Sequence, residues 1–133
     1  MRRLFLVAIV LVLVAGACTD PPPACIAVET ACSPLYPPTT FANVYSMTIV
    51  RQCGSDKGSC HSASGESILS LATEQEAYDN LLANHVTPGD PGCSELVVRT
   101  SSPGADYQMP KGGPLIESEQ CALRNWVESG APR

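Results

Sequence analysis

The chain has 133 residues, eight of them Lys or Arg and thirteen Asp or Glu, for a formal net charge of −5. An acidic surface of this kind disfavours nucleic acid and anionic headgroups as partners and suits solubility or a basic partner. Aromatic residues are only 5% of the chain, so a globular part built from it has a thin core and needs help from disulfides, a metal or a bound cofactor.

Arg2 and Arg3 precede an uninterrupted apolar run from Leu4 to Ala15, which leads into Gly16-Ala17-Cys18. The run is shorter than the roughly 20 residues a membrane-spanning helix needs, and its charged start and small-residue end read as a secretory signal over residues 1–17. The small-small-Cys ending resembles the lipobox of bacterial lipoproteins, with Cys18 becoming a lipidated N-terminus. The expected location is therefore the cell envelope, facing the periplasm or at the outer membrane, with the membrane itself engaged through the lipid on Cys18. Removal of Arg2 and Arg3 leaves six basic against thirteen acidic residues, a net −7, and leaves six cysteines after Cys18. An even number in an oxidising compartment reads first as disulfides.

Residues 18–40 carry six prolines, Pro21, Pro22, Pro23, Pro34, Pro37 and Pro38, and read as a semi-extended spacer in which Cys25 and Cys32 could close a small loop. From Phe41 to 133 the texture is helical. Phe41, Val44, Tyr45 and Ile49 share one face of a first helix ending near Cys53-Gly54. Thr73 with Glu76 forms a capping box that opens a second helix running to about Asn84. Pro91 opens a short third helix with Leu96, Val97 and Val98, and a long Pro-Gly loop leads to a last helix from about Glu117 to Ser129, stopped by Gly130. The expected fold is a small all-α domain. Within it Cys93 and Cys121 are expected to pair, closing a loop of about 28 residues and adding roughly 3–4 kcal/mol.

The string most informative for chemistry is Cys53-Gly54-Ser55-Asp56-Lys57-Gly58-Ser59-Cys60-His61. Two thiols followed directly by a histidine suit covalent haem, the thiols adding to the porphyrin vinyl groups and the histidine ligating iron. Six residues separate the cysteines where two are usual. Met109, in Tyr107-Gln108-Met109-Pro110 followed by Lys111-Gly112-Gly113-Pro114-Leu115, offers a sixth iron ligand. Together with Val86-Thr87-Pro88-Gly89-Asp90-Pro91, Ser94 and the closing Trp126-Val127-Glu128-Ser129-Gly130-Ala131, these pieces resemble the small monohaem cytochrome c-like domains of bacterial lipoproteins and surface proteins, over residues 41–131. The resemblance implies one haem c held through Cys53, Cys60, His61 and Met109, with iron bound by His61 and Met109. It also implies electron transfer with a redox partner protein.

Other readings of the same residues stand beside that one. Cys53 and Cys60 could instead close a disulfide, leaving His61 an ordinary neighbour in a haem-free, disulfide-stabilised helical surface module with a binding or structural role. His85 reads as a solvated helix end that could replace Met109 as a distal ligand. A zinc site is disfavoured because adjacent Cys60 and His61 seldom converge on one tetrahedral ion. A peroxidase or sensor would need Met109 displaced. No nucleophile with a plausible base, paired carboxylates or nucleotide motif stands out, so an electron carrier is expected rather than a substrate-converting enzyme.

Overall fold

The computed structural model describes residues 21–54, 60–65 and 67–133. The expected signal peptide over residues 1–17 and the expected lipidation site Cys18 lie outside the described residues, as do Ser55 to Ser59 of the Cys-His string. The described residues are all helix and loop, with no strand, so the all-α expectation holds at that level. None of their helices is long and apolar enough to cross a membrane.

The first helical unit is α1 (Phe41–Val44), a π-helical turn (Tyr45–Ile49) and α2 (Val50–Gln52) in one run. Thr40 caps its start by accepting from the Asn43 N–H, at 3.5 Å. At its end the amides of Cys53 and Gly54 both donate to the Ile49 carbonyl, at 2.8 and 3.0 Å. The wide turn changes the register expected from a regular helix. Thr48 and Ile49 are buried side by side, while Tyr45 stays half-buried and donates to the Ala72 carbonyl at 2.9 Å.

Helix α3 (Glu74–Asn84) begins where the capping box places it. The Thr73 side chain accepts from the Glu76 N–H at 3.3 Å and donates to the Glu76 carboxylate at 3.2 Å. Helix α4 (Glu95–Thr100) starts four residues later than the position of Pro91 suggests. Pro91 instead belongs to a turn held by Ser94, whose buried hydroxyl donates to the carbonyls of Asp90 and Thr87 and accepts from the Thr87 N–H. Helix α5 (Glu117–Glu128) ends at Gly130, whose φ of 96° is a left-handed conformation that stops the helix.

The core forms where α5 crosses α1. Trp126 is fully buried, its ring centroid 5.1 Å from that of Phe41, and its indole N–H donates to the Pro132 carbonyl at 2.8 Å. Tyr78 of α3 meets Phe41 edge-on at 5.0 Å. Val44, Ile49, Leu81, Leu123 and Val127 are buried in the same cluster, each contributing roughly 1.5–3 kcal/mol by burial.

Two expectations for the cysteines and the proline-rich stretch are corrected. The bonded pairs are Cys25–Cys93 and Cys32–Cys121, not Cys25–Cys32 and Cys93–Cys121, so all four cysteines are used but with crossed partners. Residues 25–36 consequently do not form a spacer. Ile26 donates its amide to the Gly92 carbonyl at 2.9 Å and Leu35 donates to the Ser118 carbonyl at 2.9 Å. Tyr36 is buried against the core, with its hydroxyl 2.8 Å from that of Thr48.

Candidate functional site

A cleft of about 340 Å³ opens between the 61–71 loop, the C-terminal half of α3 and helix α4. Its apolar wall comes from Leu69, Leu71, Leu81 and Leu96, and Ile68 stands fully exposed at the edge. Leu71 and Leu81 are fixed in the core, whereas Leu69 and Leu96 are half-buried and face both the core and the opening. An adjoining cleft of about 500 Å³ runs from Gln52 to Pro114. Cys53, His61 and Met109 line both clefts, and Cys60 lines the second.

The backbone explains how residues distant in sequence meet here. Met109 is held beside α4 by donating its amide to the Arg99 carbonyl at 3.0 Å. The 61–71 loop is closed by two amides, Leu71 to the His61 carbonyl at 2.8 Å and Ser67 to the Cys60 carbonyl at 2.9 Å. The four residues expected at the site, Cys53, Cys60, His61 and Met109, thus surround one opening.

Their chemical states differ. The Cys53 thiol packs against the core, and burial, with a smaller push from the Glu119 carboxylate, raises it to about 11. Cys60 is an exposed free thiol. The Nδ1 of His61 is 2.9 Å from the Leu69 carbonyl, an arrangement in which Nδ1 carries the proton and donates it.

His85 is not a free helix end. Its Nδ1 lies 2.7 Å from a Glu95 carboxylate oxygen, and the other oxygen of Glu95 accepts from Arg99 Nε at 2.7 Å. Arg99 also donates to the Tyr107 carbonyl at 3.2 Å, so the polar edge of the first cleft is tied into a network. Burial acts to raise the Glu95 carboxyl, but hydrogen bonds and charges from Arg99 and His85 outweigh it and hold the group below its ordinary range. Sequence reasoning missed Glu95 and Arg99. Their spacing of four on one helix was the available signal.

The expectation of an iron centre is corrected. Among the described residues no group of three or more His, Cys, Asp and Glu could hold a metal ion, although Cys53, Cys60 and His61 lie along one opening. A thiol must ionise to ligate a metal, and burial disfavours the ionised form of Cys53 while Cys60 sits at the surface. The haem-binding, cytochrome c and electron-transfer readings are set aside with the metal. Compared with protein-family models, with curated proteins and with solved structures, the chain matches none.

Proposed function

We propose that this chain is a haem-free, disulfide-stapled helical binding module of the cell envelope, held at a membrane by a lipid on Cys18, and that its first cleft takes a small, largely apolar ligand. The cleft itself carries this reading. It combines a wall of leucines with a polar edge whose hydrogen-bonding groups are largely committed to protein partners. A volume of about 340 Å³ lies within the range usual for small-molecule sites. Asn80 donates to the Ser70 carbonyl at 2.9 Å and Thr100 to the Leu96 carbonyl at 2.8 Å, so these side chains shape the cleft and offer it little unpaired polarity.

The export signal and the two disulfides support the envelope part of the proposal, since such bonds persist in oxidising compartments. Six residues separate Cys18 from Cys25, where the first disulfide attaches the chain to the domain. A span of that length reaches at most about 25 Å, so a lipidated Cys18 holds the domain close to the bilayer.

Titration of the full chain with the neutral apolar dye Nile red tests the binding role. The expected result is saturable binding to one site, weakened at least about tenfold by Leu96→Trp, which fills the cleft, with the helical circular dichroism unchanged. Unsaturable binding, or equal affinity in a folded Leu96→Trp variant, would overturn the proposal.

A further inference from the structure

Four of the six described cysteines are spent in the two disulfides that staple residues 25–32 to the helices, and Cys53 and Cys60 are free thiols. Both line the second cleft. The residues that follow them are held against one and the same residue. Gly54 is packed so closely that a Cβ there would lie 3.0 Å from the Leu71 carbonyl oxygen, and His61 accepts from the Leu71 amide at 2.8 Å. Leu71 is buried and fixed in the core, so it acts as a common anchor for both ends of the stretch from Cys53 to Cys60. Tyr45 braces the same point from the first helix through its bonds to the carbonyls of Leu71 and Ala72.

We propose that Cys53 and Cys60 are a reversible dithiol–disulfide pair, oxidised by exchange with a low-molecular-weight disulfide, that cross-links the wall of the second cleft. The proposal is independent of whether the first cleft binds a ligand.

The difference in exposure sets the order of events. Cys60 loses its proton to solvent, and its thiolate attacks one sulfur of the external disulfide, forming a mixed disulfide and releasing one thiolate. Cys53 then gives up its proton and attacks the Cys60 sulfur, forming the Cys53–Cys60 bond and releasing the second thiolate. The two released thiolates take up the two protons lost by the protein. The protein has given up two electrons and two protons, and the external disulfide has become two thiols. Burial of Cys53 makes it a poor first attacker, which keeps the oxidant reacting at the surface position. Six residues lie between the two cysteines, so this loop is far shorter than the separations of 68 and 89 residues spanned by the structural disulfides.

The test uses the full chain with its two structural disulfides, equilibrated in glutathione buffers of increasing oxidising strength, quenched with iodoacetamide and read by intact mass and peptide mapping. The expected product is a protein lighter by two hydrogens, with a Cys53–Cys60 cross-link, no glutathione and no alkylation at either position, and full reversal in the reducing buffers. Cys53→Ser should instead accumulate one glutathione on Cys60, because the resolving thiol is gone. In the reduced protein at pH 8, Cys53 should alkylate at least about tenfold more slowly than a small free thiol. A stable wild-type adduct carrying glutathione on Cys60 with Cys53 still alkylatable would overturn the proposal, as would a bond from Cys60 to any of the other four cysteines. Should Cys53→Ser fail to fold, the wild-type products alone decide between these outcomes.

Discussion

Small residues set how closely segments approach in this protein, and Gly92 is the clearest case. A Cβ at that position would come within 2.7 Å of the Ile26 carbonyl oxygen, while the Gly92 carbonyl accepts from the Ile26 amide. The docked N-terminal segment therefore depends on the absence of a side chain there. Gly92→Ala should destabilise the fold by about 1–2 kcal/mol and speed proteolytic cleavage within residues 21–31, read by thermal melting and by peptide mapping of limited digests. An unchanged melt and an unchanged digest would show that the contact relaxes without loss. The same dependence was invisible in the sequence, where Gly92 reads as a turn residue. Its partner Ile26 lies 66 positions away and has no local signal pointing to it.

At the level of elements, local chemistry was legible and tertiary placement was not. The capping box at Thr73 and the glycine stop after α5 could be read because each is complete within a few residues. The π-helical turn could not; within it Thr48 is buried and its hydroxyl bonds to that of Tyr36 from the docked N-terminal segment, a partner outside the helix. The link between α3 and α4 is of the second kind. His85 at the end of α3 and Arg99 of α4 share the Glu95 carboxylate, and Leu96 donates its amide to the His85 carbonyl at 3.0 Å. Because Glu95 titrates below its ordinary value in the folded chain, its stabilisation is present above the unfolded carboxyl value of 4.5 and is lost as pH falls through the lower folded value. Glu95→Gln should lower stability at pH 7 and flatten its fall between about pH 5 and 3, as measured by denaturant unfolding across that range. A variant whose acid limb matches the parent's would remove Glu95 from the account.

For the whole molecule, two crossed disulfides turn a thin helical core into a closed frame. Each spans enough chain to contribute about 4 kcal/mol by loop closure if taken alone, and because the loops interleave the two contributions do not simply add. That the cysteines after Cys18 would form disulfides was readable from their even number, but pairing was not, since spacing favours neighbours in sequence while bonding requires neighbours in space. The Cys-His string and Met109 did mark residues that meet at one opening. Whether such residues hold a metal ion turns on burial and ionisation, which sequence spacing does not encode, and here they include one half-buried thiol held protonated and one exposed thiol. The central claim, a stapled and haem-free module, is tested most directly by the intact mass and visible spectrum of the full chain exported from a host with c-type haem maturation. The account predicts a colourless lipidated protein whose mapped disulfides are Cys25–Cys93 and Cys32–Cys121, with Cys53 and Cys60 free or bonded to each other. An added porphyrin mass with a reduced absorption band that survives acid-acetone extraction would contradict it.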